Sequence, residues 1–251
     1  GLLIKSQGNQ GWINVVEANI FDEKKIRSLF QEADICINLI GILYEKKGST
    51  FKNIHTLFPS ILAKLCKEYN LEHFIHLSAL GVDKAIDSNY AKSKLEGEKE
   101  ILRNFPLSTI LRPSVVFSVE DNFTCNFMSL LNRLPIFPLY FGGKTRFMPI
   151  FAGDLTDIIY NITSKKIDTQ IIECVGPETI TLKEIIEKLL KLIGKKRLLV
   201  PMPLFLGKLT AQFFQYFPKP LLTPDQLRLL QYDNVTSNQY KTNTDIGLPA
   251  K

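Results

Sequence analysis

The chain has 251 residues, of which 45% are hydrophobic and 22% charged, with 31 Lys and Arg against 25 Asp and Glu. These ordinary globular values exclude a disordered, collagenous or coiled-coil chain as the main content. The net charge of +6 is mild, and aromatic residues are not interleaved with basic ones, so we predict no nucleic-acid interface. No apolar run approaches the roughly 18 residues that a membrane span needs.

The four cysteines point to a reducing compartment. Cys36, Cys66, Cys125 and Cys174 form no CxxC motif and have no histidine nearby at metal-ligand spacing. This pattern favours buried, reduced thiols over a disulfide framework or a metal site. We therefore expect a protein that is not secreted and that carries no bound metal.

The first half of the chain alternates short apolar runs with segments of helical period, which is typical of βαβ units and a parallel sheet. The pattern predicts strands over residues 12–20, 34–40, 73–77 and 108–117, with helices over residues 22–33, 58–69 and 90–105. These elements predict an α/β fold, a doubly wound parallel sheet of Rossmann type.

After about residue 120 the elements become shorter. We predict helices over residues 122–133, 155–164 and 181–193, strands over 147–151 and 170–175, a loop over 134–143, and two aromatic helices divided by Pro218 and Pro220. Thr181 and Glu184 form a capping box at the start of one helix, and Gly194 ends it. We expect a boundary near residue 120, with a sheet domain over residues 1–120 and a smaller, mostly helical lobe over residues 121–251 that adds further strands and the aromatic tail.

The most informative cluster is Ser78, Tyr90 and Lys94. Ser78 follows a predicted parallel strand, where α/β proteins bind their ligands, and Tyr90 and Lys94 share one face of the next helix. A nearby ammonium favours the phenolate form of a tyrosine, and a serine hydroxyl can hold the substrate oxygen. We therefore expect these three residues to form a site, with Lys94 lowering the pKa of Tyr90.

Two further strand ends carry candidate residues. Asn38, Leu39 and Gly41 end the strand at 34–40, and Gly41 would let a ligand approach the backbone closely. Arg112-Pro113-Ser114 follows the fourth strand, where Pro113 lacks a backbone donor and shapes the loop. Each of these motifs alone is also compatible with an ordinary turn or terminator at the end of a strand.

The order of these motifs resembles the extended or atypical short-chain dehydrogenase/reductase superfamily. The stretches DICINLIGILYEKKGSTF, HFIHLSALG, NYAKSKLEGEKEI, STILRPSVVF and FMPIFAGDLTDII are similar to the NAD(P)-binding accessory subunit family of respiratory complex I and its bacterial relatives. The C-terminal residues from 200 to 230 resemble the tail of that family. The similarity covers nearly the whole chain.

The resemblance implies a role for each matching residue. Tyr90 would transfer a proton or bind the nicotinamide ribose, Lys94 would bind that ribose, and Ser78 would lie beside the nicotinamide. The remaining cofactor-binding residues implied by the resemblance are Asn38, Leu39 and Gly41 in the groove, Pro113 and Ser114 flanking the nicotinamide, and Asn19 and Ile20 against the adenine.

The phosphate end of the cofactor site is not evident in the sequence. Gly8-Asn-Gln-Gly11 lacks a third glycine and precedes a strand, so it fails the context of a dinucleotide fingerprint. By the resemblance, Gly1 falls roughly fifty residues into the family pattern, so we expect the first βαβ unit to be largely absent. The cofactor is then NAD or NADP without a readable preference, and we expect these residues alone to have weak or no affinity for it.

Other polar residues have simpler interpretations. We expect His76 to be a packed core residue two positions before Ser78, and His55 and His73 to be surface or capping groups. Asp154 is predicted to cap a helix N-terminus.

The tail has two interpretations. Phe205, Leu209, Phe213 and Phe217 form an apolar stripe that either packs on the chain's own core or contacts a membrane surface or partner subunit.

Three functions stay open, and catalytic residue types alone do not choose between them. In the first, the chain is an accessory or associated protein of respiratory NADH:quinone oxidoreductase with a largely structural dinucleotide. Alternatively, it is an active NAD(P)-dependent reductase, dehydrogenase or epimerase acting on a sugar nucleotide, lipid or quinone precursor. The third possibility is a protein that senses the redox state of its cofactor through partner binding. The resemblance implies a cytoplasmic or mitochondrial-matrix-type compartment, with a position peripheral to the inner membrane as one option.

Overall fold

A computed structural model of the chain describes residues 12–165, 167, 169–215, 220 and 222–251. In chain order the strands are β1 (Ile35–Asn38), β2 (His73–Leu77), β3 (Ser108–Pro113), β4 (Val116–Phe117), β5 (Ile136–Tyr140), β6 (Arg146–Phe147), β7 (Ile150–Phe151), β8 (Ile171–Cys174), β9 (Ile180–Thr181), β10 (Leu198–Met202) and β11 (Lys241–Thr242). The α-helices are α1 (Glu23–Ser28), α2 (Phe58–Glu68), α3 (Asn89–Asn104), α4 (Asn122–Arg133), α5 (Ala152–Lys165), α6 (Leu182–Leu192), α7 (Leu204–Phe214) and α8 (Pro224–Leu229).

The central sheet is parallel and has helices on both faces. Its strand order is β1-β2-β3-β8-β11, and every pairing within it is parallel. Successive residues of a strand point to opposite faces, so Phe74 of β2 packs against α2 and α3 while its neighbour Ile75 packs against α5. This arrangement confirms the predicted doubly wound sheet of Rossmann type.

A π-helical turn, Lys52–Leu57, leads directly into α2 and was not predicted from the sequence. Helix α3 packs against its backbone at Gly97, where a Cβ atom would lie only 1.9 Å from the carbonyl oxygen of His55. Any residue larger than glycine would therefore force the two helices apart. π-helical turns often occur at functional sites, and this one carries His55 into the site described below.

The predicted strand at residues 12–20 is wrong. The structure gives these residues no strand pairing, and Trp12 is 80% exposed. The apolar alternation of this segment is a local property, whereas a strand also needs a neighbour to bond with. Gly8–Gly11, predicted as a turn, lies outside the described residues.

The predicted loop at residues 134–143 is also wrong, because β5 within it pairs in parallel with β10, about sixty residues further along the chain. The two prolines of this segment, Pro135 and Pro138, argue against a central strand, but a two-stranded ribbon tolerates them. Residues of β5, α4 and α6 form a second hydrophobic core that includes Leu131, Phe137 and Ile186. The domain boundary near residue 120 stays a proposal.

Several C-terminal predictions can be compared with the structure. Thr181 and Glu184 form the predicted capping box of α6, and Gly194 follows that helix with a φ of +65°. Asp154 is not the predicted cap, since α5 begins at Ala152 and the Asp154 carboxylate instead accepts a bond from the Lys251 backbone. None of the helices within the described ranges is long and apolar enough to cross a bilayer.

Candidate functional site

The carboxyl ends of three neighbouring strands meet at one edge of the sheet. β1 ends at Asn38, β2 leads into Ser78, and β3 leads into Ser114. Because all three strands run in parallel, these residues lie along the edge where α/β folds bind their ligands. The predicted site residues on these strands therefore share one side of the molecule.

Lys94 joins the helix α3 to this edge. Its ammonium donates a hydrogen bond to the carbonyl oxygen of Leu77 at 3.0 Å, so it is tied to the residue immediately before Ser78. The same ammonium lies 5.8 Å from the ring centroid of Tyr90, one turn earlier on the helix. Burial lowers the pKa of Lys94 to about 8, although Glu98 opposes this shift. The structure thus brings Tyr90 and Lys94 to the end of β2, where Ser78 lies.

The environment of Tyr90 corrects one expectation. Its ring packs edge-on against Phe51, with centroids 5.9 Å apart, and against His55 at 5.2 Å. Burial raises the pKa of Tyr90 instead of the predicted lowering by Lys94. The reason is geometric, because the Lys94 ammonium is directed at the Leu77 carbonyl while Phe51 and His55 pack against the Tyr90 ring. Tyr90 is therefore protonated at neutral pH.

His55 is buried, which corrects its prediction as a surface or capping group. Its Nε2 accepts a hydrogen bond from the Ile42 backbone N–H at 3.0 Å, so the ring proton resides on Nδ1. Nδ1 donates to Ser93 Oγ at 2.9 Å, and Ser93 Oγ donates to the Tyr90 carbonyl at 2.8 Å. Burial, with the nearby Lys94 charge, lowers the pKa of His55 to about 3. This chain of bonds links the turn after β1 to the backbone of Tyr90.

Asn38 and His76 form a buried hydrogen-bonded pair near the His55 hydrogen bonds. The register of β1 and β2 sets the two residues side by side, and Asn38 Nδ2 lies 3.0 Å from His76 Nδ1. His76 is 1% exposed, in agreement with its prediction as a packed residue. Burial lowers the pKa of His76 well below its ordinary value, so the ring is neutral at physiological pH.

The groove residues after β1 differ in their contacts. Leu39 is exposed, and Gly41 lies against the Lys94 ammonium, which would be 3.5 Å from a Cβ atom at that position. A ligand above Gly41 would therefore come next to Lys94.

The two residues after β3 are buried. Ser114 Oγ donates to Asn234 Oδ1 at 2.6 Å and accepts from the Met148 backbone, so its hydroxyl is already held by the protein. Pro113 is buried at the end of β3.

Asn19 and Ile20 have contacts of another kind. Asn19 Oδ1 accepts a bond from the Phe21 backbone in the turn before α1, and Ile20 packs against the hydrophobic core beneath α2. In the structure Ile20 therefore has a packing role, and Asn19 forms a bond within a turn.

Asp225 on α8 is a site residue that sequence reasoning missed. Its carboxylate accepts hydrogen bonds from Ser88 Oγ at 2.8 Å, from the Asn89 backbone at 2.8 Å and from the Tyr90 backbone at 2.9 Å. It therefore caps the N-terminus of α3 next to Tyr90, where a negative charge is favoured. The only signal in the sequence was the capping box formed by Thr223 and Gln226, which starts α8 but does not reveal what Asp225 binds.

Arg112 also has a role that its motif did not reveal. Its guanidinium is 1% exposed and donates to Glu98 Oε1 at 3.0 Å, to Glu98 Oε2 at 2.6 Å and to Asp83 at 2.8 Å. Hydrogen bonding to Glu98 keeps the pKa of Arg112 above its usual range although burial opposes it. Arg112 thus ties α3 to β3, and each of its three guanidinium nitrogens is bonded to a carboxylate of the chain.

Comparison with known proteins gives relatives by sequence. No family model matches the chain. It is 27% identical to NADH dehydrogenase (ubiquinone) 1 alpha subcomplex subunit 9, mitochondrial, of Mus musculus, over 98% of this chain and 66% of that protein. It is 25% identical to the mitochondrial NADH-ubiquinone oxidoreductase 40 kDa subunit of Neurospora crassa, over 98% of this chain and 65% of that one. The chain spans slightly under two thirds of the length of these relatives.

A solved structure supports the fold. The dTDP-glucose 4,6-dehydratase DesIV of Streptomyces venezuelae, with NAD and TYD bound, is similar with a TM-score of 0.68 and 15% identity, over 94% of this chain and 74% of that one. At this identity the likeness concerns the fold alone. By sequence the chain is thus similar to these mitochondrial subunits of NADH dehydrogenase and NADH-ubiquinone oxidoreductase, and its parallel sheet has the Rossmann-type fold of the dehydratase.

Proposed function

We propose that the chain binds a nicotinamide dinucleotide at the carboxyl ends of β1, β2 and β3, as an accessory or associated protein of respiratory NADH:quinone oxidoreductase. The dinucleotide is largely structural in this proposal. The observation that carries it is the Lys94 ammonium bonded to Leu77, next to the buried, unpartnered hydroxyl of Ser78 and one helical turn from Tyr90.

The donor groups of this site fit the ribose end of a dinucleotide. An ammonium has three N–H donors, and only one of those on Lys94 is used by Leu77, so two can bind ribose hydroxyl oxygens. Tyr90 would hold the same ribose and Ser78 the nicotinamide end. The other residues proposed to line the dinucleotide are Asn38, Leu39, Gly41, Pro113 and Ser114, with Asn19 and Ile20 toward the adenine. When bound, the nicotinamide supplies the capacity to accept or donate a hydride.

Two observations favour a structural dinucleotide over rapid turnover. Burial raises the pKa of Tyr90, which disfavours the phenolate that would abstract a proton from a substrate alcohol. The curated relatives are named as subunits of NADH dehydrogenase or NADH-ubiquinone oxidoreductase, and their names include the mitochondrion. We propose a mitochondrial-matrix-type location for this chain, peripheral to the inner membrane.

The aromatic helix α7 supplies the contact surface in this proposal. Phe205 is 64% exposed and Leu209 59%, so this part of the predicted stripe does not pack on the chain's own core. Phe217 lies outside the described residues. Exposed apolar patches of this kind mark interaction sites, either with subunits of the complex or with the membrane surface.

The test begins with the protein in its native membranes. Mild detergent extraction followed by native electrophoresis should recover it with the NADH dehydrogenase complex, and mass spectrometry of the released small molecules should identify NAD(H) or NADP(H). A Lys94→Met variant should lose the dinucleotide. Recovery of the protein free of the complex and without any dinucleotide would overturn the proposal.

An active NAD(P)-dependent reductase, dehydrogenase or epimerase is the second candidate, because the structure brings Tyr90 and Lys94 to the strand end that carries Ser78. Tyr90→Phe should then abolish turnover of a sugar nucleotide, lipid or quinone precursor while dinucleotide binding persists. Turnover that is unchanged in Tyr90→Phe would exclude this role for the phenol.

A further inference from the structure

Two buried polar atoms near Lys94 have no hydrogen-bond partner. They are His76 Nε2 and Ser78 Oγ, the two such side-chain atoms among the described residues. His76 is 1% exposed and Ser78 4% exposed, so neither group is hydrated as a surface side chain would be. Buried polar groups in folded proteins are nearly always paired, and an exception at a ligand-binding edge calls for a partner from outside the chain.

The proton of the His76 ring can be assigned from its neighbour. Asn38 Oδ1 accepts a bond from the Ile40 backbone N–H at 3.1 Å, so the amide nitrogen of Asn38 faces His76 Nδ1. An amide nitrogen only donates, and therefore Nδ1 accepts and the neutral ring carries its proton on Nε2. The unpartnered atom of His76 is thus an N–H donor that has no acceptor.

None of the described side chains near His76 supplies that acceptor in this structure, and Ser78 Oγ, which could accept, is not bonded to it. His76 and Ser78 lie two positions apart, so the alternation of β2, continued to Ser78, directs both toward the face of the sheet that α3 covers. Lys94 is itself a donor, and both ring nitrogens of His55 are engaged by Ile42 and Ser93. Neither Lys94 nor His55 can therefore accept from His76 Nε2.

We propose that His76 and Ser78 together bind one hydroxyl-type oxygen beneath the dinucleotide, as a second anchoring point beside Lys94. The oxygen accepts from His76 Nε2–H and exchanges a hydrogen bond with Ser78 Oγ. It belongs either to a ribose hydroxyl of the dinucleotide or to a water molecule retained under it. This inference rests on the proposed function, and it makes His76 a ligand-binding residue instead of a packing residue.

Two substitutions at His76 separate the donor from the rest of the ring. The side-chain oxygen of His76→Asn reaches the position of Nδ1 and can still accept from Asn38, but the donor at Nε2 is lost. His76→Gln restores an N–H donor at the reach of Nε2. His73→Asn at the opposite end of β2, where His73 bonds Thr109, is the matched control.

The measurement is the dissociation constant of NADH and NADPH, titrated to millimolar concentrations, together with the thermal midpoint without dinucleotide. We expect Ser78→Ala and His76→Asn to weaken binding about tenfold each, and His76→Gln to recover most of the loss. Ser78→Ala should leave the thermal midpoint unchanged, and His73→Asn should leave the affinity unchanged.

The outcomes separate the inference from the proposed function. Binding by the wild type that is unchanged in both Ser78→Ala and His76→Asn overturns the inference and leaves the proposed function intact. No binding by the wild type overturns the proposed function and the inference with it. A dinucleotide analogue that lacks a nicotinamide-ribose hydroxyl identifies the oxygen: the effect of Ser78→Ala disappears with the analogue for a ribose hydroxyl and persists for a retained water.

Discussion

Strands β2 and β3 are neighbours, and each carries buried polar side chains that face helix α3, but only those on β3 have all their partners. On β3, each nitrogen that Arg112 can donate from is bonded to Glu98 or Asp83. On β2, His76 Nε2 has no partner, and neither does Oγ of Ser78, the residue that follows the strand. The comparison separates polar groups that hold the fold together from polar groups that are free to bind something else.

The position of each cluster explains the difference. Arg112 has to anchor α3, and an unpaired buried charge would be too costly, so the chain supplies both carboxylates itself. Ser78 lies at the end of β2, where ligands bind, and a group that is completed by a ligand must be incomplete without it. Helix α3 therefore lies over two neighbouring clusters. The structural cluster is Arg112 with Glu98 and Asp83, and the binding cluster is His76 with Ser78.

The largest effect is expected from a substitution that breaks the structural cluster. Glu98→Ala leaves the buried guanidinium of Arg112 with Asp83 alone and should lower the free energy of unfolding by about 3–5 kcal/mol. Urea denaturation measures this change. Glu187→Ala removes the exposed pair with Lys183 and should have little effect, because surface pairs are screened by water. Equal effects of the two substitutions would contradict the structural role.

The next effect concerns pH and the neutral histidines near the binding cluster. The pKa of His55 is about 3 in the folded chain, below the ordinary value of 6.5, so the unfolded chain takes up a proton first as the pH falls. The contribution of neutral His55 to the free energy of unfolding is complete above pH 6.5. Below that pH the free energy of unfolding should fall by about 1.4 kcal/mol per pH unit, and His76 adds to this slope.

Urea denaturation at pH values from 7 to 4 measures this slope, and His55→Asn should reduce it by about one proton. A slope that is the same in the variant and the wild type would contradict the buried, neutral state of His55.

A third prediction concerns Asp225, which caps α3 from the C-terminal part of the chain. Asp225→Ala should cost about 1–2 kcal/mol of stability and also weaken dinucleotide binding, because the carboxylate holds the backbone of Tyr90. Asp121→Ala is the matched control, since Asp121 is the N-cap residue of α4 and lies outside the proposed site. Both variants should lower the thermal midpoint, and only Asp225→Ala should weaken binding. A loss of affinity in both variants would mean that general destabilisation is the cause.

The smallest expected effect compares two buried serines. Ser108 Oγ donates to the Phe105 carbonyl, whereas Ser78 Oγ has no partner. Ser108→Ala should therefore cost about 1 kcal/mol of stability, and Ser78→Ala should cost almost nothing. Denaturant midpoints of the two variants give the comparison directly. A loss in Ser78→Ala as large as that in Ser108→Ala would show that the Ser78 hydroxyl has a partner within the chain.

The sequence predicted what depends on local pattern. Strand β2 and helix α4 were predicted at their observed bounds, and so were the capping box of α6 and the shared edge that carries Ser78, because each depends on residues close in sequence. The pairing of β5 with β10 and the failure of a strand at residues 12–20 depend on distant neighbours, which one sequence does not reveal.

The site was predicted in its residue types but not in its environment. Asp225 contacts the Tyr90 backbone from 135 positions away, and no local motif encodes such a contact. The burial of His55 follows from a π-helical turn whose close packing depends on Gly97, a residue that carries no obvious signal in the sequence. The direction of the Tyr90 pKa depends on that burial, and for this reason the spacing of Tyr90 and Lys94 alone gave the wrong sign.

The central claim is that the Lys94 edge of the sheet binds a nicotinamide dinucleotide. The most direct test is equilibrium titration of the purified protein with NADH and NADPH to millimolar concentrations, followed by nicotinamide fluorescence, with Lys94→Met as the comparison. The account predicts saturable binding by the wild type and at least tenfold weaker binding by a folded Lys94→Met variant. Equal binding by both proteins, or no binding by either, would contradict it.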